Sequence, residues 1–275
     1  MECDTATIEQ IQCRFRRDLW RVAPTDAVIE TGVEMEPFGP LLASVFASFP
    51  EEPRLQLIQG AAEPGAVEEG HLAAAIEWME EWEVDFLIPV AAERPGTKRA
   101  EEWLNWHGYE QSTVVRQYAR STRQPPSPEV GGIEVLELYP EEGEGMDEIA
   151  ATELGFPVIV GVVLFNGLPN LEDWRCYVAL LDGVPVACGS MLIADGVAVL
   201  GVDGTVPLAR DRGCNHALLC RRLHDAARAG CHTVLASGPE AATVGSSETV
   251  RNLLSMGFVE IGRSINWRAP GCDPR

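Results

Sequence analysis

The chain has 275 residues, 46% of them hydrophobic, 23% charged and 7% aromatic. That composition excludes a collagen-like repeat, a coiled coil and wholesale disorder, and the length suits one large domain or two small ones. A formal net charge of -21 repels phosphate backbones and argues against a general nucleic-acid binder.

The opening residues, MECDTATIEQ, lack the basic and apolar regions of a secretory signal. In the first half, AAAIEWMEEW carries a helical pattern with Leu72, Ile76 and Met79 on one face. DFLIPVA then reads as a buried strand, KRAEEWLNWHGYE as a helix closing at Gly108, and STVVRQYAR as a strand. The stretch from Ser121 to Gly132 packs Pro, Ser and Gly together and reads as a linker. It divides the chain into residues 1–122, a linker 123–132 and residues 133–275.

The second half opens with a strand from Ile133 to Tyr139 and an acidic helix, EEGEGMDEIAATELGF. The apolar run Phe156 to Phe165 is about half the roughly 20 residues of a membrane helix; it suits core, a pocket wall or a homodimer contact. Three strands follow, joined by the hairpin signals Asp182-Gly183 and Asp195-Gly196. HALLCRRLHDAARAG is a helix with Leu219, Leu223 and Ala226 on one face. HTVLAS is a strand, SSETVRNLLSMGF a helix closing at Gly257, and VEIGRSINW a strand. Both halves end helix–strand–helix–strand, and Gly108 and Gly257 each sit where a helix C-cap glycine belongs, followed by an aromatic. This repetition suggests a duplicated α/β domain.

The eight cysteines form neither a C-x-x-C pair nor a spaced Cys/His quartet. Reduced thiols, a cytoplasmic setting and no metal are therefore expected.

The segment Thr205–Leu223 concentrates the chemistry. A β-run ends at Val206-Pro207, and a loop carrying Arg210, Arg212 and Gly213 leads straight into an amphipathic helix. Free N–H groups at a helix start form an anion site, and glycine lets backbone approach a phosphate. A plain strand–turn–helix with solvated arginines carries the same pattern.

This segment resembles motif A of the GNAT superfamily of acyl-CoA-dependent N-acyltransferases: a T/V-x-P turn, then R/Q-x-x-G-x-G/A, then a helix beginning A-L-L. The matching residues are Thr205-Val206-Pro207, Arg210-Asp211-Arg212-Gly213-Cys214-Asn215 and Ala217-Leu218-Leu219. The resemblance implies two GNAT-like domains, each a mixed, mostly antiparallel twisted sheet flanked by helices. The first would be a degenerate copy without the motif, and residues 133–275 would form the acyl-CoA-binding domain. It implies acetyl-CoA or another acyl-CoA as co-substrate, with backbone at Thr205 and Val206 pairing with the pantetheine arm. The pyrophosphate would rest on amides from Arg210 to His216, a span that includes Asp211, Cys214 and Asn215. A backbone N–H near Thr205 or Val206 would stabilise the developing oxyanion. The implied reaction is direct attack by a small-molecule amine in a ternary complex.

The chain departs from the motif in two places. Asn215 stands where the family carries Gly or Ala, and Leu253 stands where many members place a Tyr that protonates the leaving thiolate. Ser246 or Ser247 lies where the last long helix usually carries an early Asn. Asp203 shares a strand face with Thr205 and is the candidate general base, against a solvated or turn aspartate. Two other readings stay open: a CoA-binding or ligand-sensing protein with a relic fold, and an enzyme of the same fold with altered acyl chemistry.

Overall fold

The computed structural model describes residues 11, 14, 15, 17–19, 21–140, 142–240 and 248–270; Cys3, Cys13, Ser246, Ser247 and Cys272 lie outside them. In chain order the elements are α1 (Thr25–Thr31), β1 (Val33–Phe38), β2 (Leu41–Phe46), β3 (Leu57–Gln59), α2 (His71–Glu81), β4 (Ile88–Ala91), α3 (Thr97–Trp106) and β5 (Glu110–Ser121). Then come β6 (Glu134–Leu138), α4 (Glu144–Leu154), β7 (Trp174–Leu181), β8 (Val184–Ala194), β9 (Val197–Thr205), α5 (Cys214–Arg228), β10 (Thr233–Pro239), α6 (Glu248–Ser255) and β11 (Val259–Arg268).

Tertiary contacts sort these elements into two units whose membership is not that of the two sequence halves. One unit holds the described residues of Met1–Val28, Tyr118–Ser237 and Gly245–Val259; the other holds Ile29–Gln117 and the described parts of Gly238–Val244 and Glu260–Arg275. They are called here the 118–237 unit and the 29–117 unit. These limits differ from the expected boundaries at 122 and 133. A Pro/Gly-rich stretch marks where regular structure stops, whereas membership is set by where each terminal segment buries its apolar side chains. β11 pairs antiparallel with β4 in the register Trp267↔Ile88 to Ser264↔Ala91, and Ile265 and Trp267 lie in the core of the 29–117 unit. At the other end of the chain, the Phe15 ring packs on Trp174 with centroids 4.9 Å apart, and Asp18 accepts from the Trp174 indole at 3.0 Å. Both contacts belong to the 118–237 unit.

In the 29–117 unit, β1, β2 and β3 form an antiparallel sheet in that order, a region for which the sequence supplies no predicted element. β1 exposes its central residues and β3 has three residues, so neither shows the alternation that marks a half-buried strand. α2 buries Leu72, Ala75, Ile76 and Met79, the expected face.

In the 118–237 unit the sheet order is β10-β9-β8-β7-β6. β6 to β9 run antiparallel, and β9–β10 is a parallel pair. The hairpins turn at Asp182 (φ 53) with Gly183 (φ 80) and at Asp195 (φ 49) with Gly196 (φ 74), two positive φ values each, as the two-residue turns of twisted hairpins require. α5 buries Leu219, Leu223 and Ala226 among other residues. The apolar run Phe156–Phe165 becomes a helical turn, Val158–Gly161, continuing into a π-helical stretch, Val162–Asn166. Among the described residues no single helix is long and apolar enough to cross a membrane.

α3 and α6 end alike. Tyr109 N–H donates to Leu104 O (2.9 Å), and Phe258 N–H to Leu253 O (3.1 Å), around Gly108 and Gly257. Both glycines are left-handed. These are the paired C-caps the sequence predicts, and they put Leu104 and Leu253 in equivalent places.

Candidate functional site

β9 and β10 diverge. Their parallel register covers Thr233↔Val197, Val234↔Ala198 and Leu235↔Val199, so β9 runs past it from Leu200 to Thr205. On its other edge β9 stays paired with β8 as far as Thr205↔Ala187, and Val206 N–H donates to Val186 O at 2.9 Å. Backbone groups alternate sides along a strand. The Thr205 N–H therefore turns to the diverging side, while that of Val206 is already committed to β8.

After Val206 a 3₁₀ turn, Pro207–Ala209, leads through Arg210 to Gly213 and into α5. Gly213 caps the helix with φ 85 and no side-chain hydrogen bond. This left-handed geometry is easy for glycine alone, and it leaves the first-turn N–H groups of a 15-residue helix at an end that favours negative charge. Asp211, Arg212 and Gly213 are exposed.

A cleft of about 260 Å³ opens here, lined by Glu153, Asp203, Gly204, Thr205, Arg210, Asn215 and Thr249. Arg210 donates to Glu153 at 2.8 Å, and the Asn215 amide oxygen accepts from Asn252 at 2.9 Å. The structure thus brings Asp203, Thr205, Arg210 and Asn215 together at one cleft; Val206, Asp211, Arg212, Gly213, Cys214 and His216 are not among its lining residues. Glu153, Thr249 and Asn252 went unnoticed in the sequence. Glu153 lies 57 positions from its partner Arg210, and no local pattern links them. A larger groove of about 760 Å³ lies between residues 128–135 and Arg221, His224, Asp225 and Arg228; its Arg221 is tied to Asp225 and to Val135 O.

Solved structures share this fold. A GCN5-related N-acetyltransferase from Kribbella flavida matches over 93% of this chain and 95% of its own, at 20% identity and a TM-score of 0.61. One from Sphaerobacter thermophilus matches over 83% and 76%, at 19% identity and a TM-score of 0.60. A tandem GNAT protein from the clavulanic acid biosynthesis pathway matches over 86% and 79%, at 14% identity and a TM-score of 0.59. The chain has the GNAT fold, in tandem. No family model matches it, and no curated protein does.

Within that GNAT fold the candidate residues have these partners. Both Asp203 carboxylate oxygens are held by Arg222, at 2.5 and 3.1 Å. Asp203 is thereby the ion-pair partner of Arg222 while it still lines the cleft, with its side chain 27% exposed. Leu253 is buried with Phe258 in the core of the 118–237 unit, so the place of the expected acid is filled by a cap-packing leucine. Ser255 donates to Asn252 O at 2.8 Å. Cys214 is 1% exposed, and burial pushes its thiol up against the opposing pull of Arg212; it packs as a small hydrophobe. His216 Nε2 lies 3.5 Å from the Cys220 sulfur, one turn along α5. Among the described residues no group of three or more His, Cys, Asp or Glu is placed to hold a metal ion.

Proposed function

We propose that the protein is a GNAT-type N-acyltransferase that moves an acetyl or other acyl group from acyl-CoA to the amine of a small molecule. The observation that carries this reading is the sequence of three features beside one cleft: a diverging strand edge with an outward Thr205 N–H, Arg210 on the cleft wall, and the start of α5 after the left-handed Gly213. An extended pantetheine arm adds to a free strand edge as another strand. A pyrophosphate suits a helix start flanked by arginine.

In the reaction the amine nitrogen attacks the thioester carbonyl carbon, the C–S bond breaks, and the electron pair leaves with the CoA sulfur. The Thr205 N–H is the donor assigned to the developing oxyanion. Holding amine and thioester together supplies much of the acceleration. With Asp203 engaged, Glu153 is the remaining carboxylate on the cleft wall and is assigned the amine proton. Its partner Arg210 is also the cation assigned to the pyrophosphate, so donor binding draws Arg210 away and leaves Glu153 free to accept that proton. The described cysteines, Cys176, Cys188, Cys214, Cys220 and Cys231, are free and buried, which fits a reducing, cytoplasmic setting.

Calorimetry with acetyl-CoA, followed by thiol release across a panel of small amines, tests this. Binding tighter than millimolar together with amine-dependent thiol release is expected. Binding without release across the panel would favour the ligand-sensing alternative, for which the buried Leu253 at the acid position speaks; no binding would end both readings.

A further inference from the structure

We propose that Asp203 and Arg222 are a positioning pair that holds a bulge in β9 and so turns Thr205 toward the donor cleft. The consequence for acyl transfer rests on the function proposed above; the bulge itself does not.

The β8–β9 register passes from Ser190↔Gly201 to Cys188↔Gly204, leaving Val202 and Asp203 opposite Gly189 alone. One extra residue in a strand reverses the facing of everything after it. Leu200 packs in the core beneath α5, and strict alternation would send Asp203 and Thr205 to the other face, toward α4. With the bulge Asp203 meets Arg222 of α5, and Gly204 is the residue that approaches α4: a side chain there would lie 3.0 Å from Ile149 O and 3.1 Å from Ala150 Cα.

The bulge is strained. Val202 has φ 49, a left-handed backbone that a β-branched residue adopts only when its surroundings impose it. Those surroundings form a staple on both sides. Before the bulge, Ser190 Oγ donates to Gly201 O at 2.6 Å. After it, the fully buried Arg222 grips both Asp203 oxygens and also donates to Ser190 O at 3.1 Å and Leu218 O at 3.3 Å. Gly189 makes room: a Cβ there would sit 2.9 Å from both Arg222 Cζ and Asp203 Oδ1. An ion pair with one partner fully buried and the other 27% exposed is a poor source of stability compared with apolar side chains of the same volume, so its use here points to geometry.

The test replaces the pair by apolar side chains, Asp203→Leu with Arg222→Met, and measures three things: the melting midpoint, φ at Val202 from its amide–Hα coupling, and acetyl-CoA affinity by calorimetry. The expected result is a folded protein with a midpoint within a few degrees of wild type, a negative φ at Val202, and affinity reduced at least tenfold. A double variant that keeps the positive φ overturns the pair's role whatever the ligand does. One that loses the bulge yet binds acetyl-CoA as wild type does overturns the link to the cleft. If the wild type itself binds no acetyl-CoA, the acyl-transfer reading fails, while φ at Val202 still decides the pair. Should the double variant not fold, Gly189→Ala presses on the pair from the opposite strand. A shifted Val202 coupling with weakened binding then supports the proposal, and unchanged values of both overturn it.

Discussion

Two loops in this chain lead from a strand into a helix capped by a left-handed glycine, and they carry opposite charge. Before α5 the sequence is Arg210-Asp211-Arg212-Gly213, with Gly213 at φ 85; before α2 it is Glu68-Glu69-Gly70, with Gly70 at φ 76. Neither cap uses a side chain. Before α2 the two carboxylates precede the cap and are engaged elsewhere: Glu69 with His71 at 3.1 Å and Glu68 with Arg99 at 3.2 Å. The strands differ too. β3 has three residues and meets the chain just before β4 through an isolated bridge, Leu57↔Leu87, whereas β9 has nine residues, a bulge and a reach from Leu200 to Thr205 beyond its register with β10. The same local design thus carries arginines before one helix and glutamates before the other, and the proposed donor site uses the first. Backbone geometry alone does not make a phosphate site; the charge beside it decides.

The comparison can be broken at several points. The largest effects should come where the two units are alike. Leu104→Ala and Leu253→Ala remove equivalent buried cap leucines, 0% and 4% exposed, and each should cost about 2–5 kcal/mol in urea unfolding. A near-neutral Leu253→Ala would instead mark that position as functional. Next comes the charge contrast. Arg212→Glu gives the α5 loop the sign of the α2 loop and should weaken acetyl-CoA binding by about 1–3 kcal/mol; unchanged affinity in calorimetry would remove this loop as the phosphate site.

Smaller effects sharpen the picture. Glu153→Gln releases Arg210 from an ion pair whose side chains are 47% and 33% exposed. Acetyl-CoA should then bind slightly tighter, by about 0.5 kcal/mol, while kcat falls. Tighter binding with unchanged kcat would leave Glu153 a mere partner of Arg210. The smallest change is expected from Glu69→Arg, which gives the α2 loop a positive charge without the diverging strand. No second acetyl-CoA site should appear in the calorimetric stoichiometry. A second site would show that charge suffices without the strand edge.

What could be read locally was read correctly. The buried faces of α2 and α5, the two hairpin turns, the paired glycine caps and the loop before α5 each depend on residues within one or two turns of each other. The β1–β3 sheet escaped because β1 is exposed along its centre, β2 is buried almost throughout and β3 has three residues, so none of them shows a readable alternation. The ion pair of Asp203 escaped for a different reason. Strand alternation places Asp203 on the face of Thr205, but whether a carboxylate is free depends on its partner, and Arg222 stands 19 positions away on another element.

The sequence by itself determined that the chain is acidic, α/β and duplicated in pattern, with its anion-suited loop at Arg210–Gly213. These are consequences of composition, periodicity and backbone preference, which act over short distances along the chain. Only the tertiary structure decided which unit β11 joins, that Arg210 meets Glu153, that Asp203 is spent on Arg222, and that Val202 adopts a left-handed backbone. Each of these depends on burial and on contacts between residues far apart in sequence, where the free energy of packing selects among arrangements that local preference leaves open.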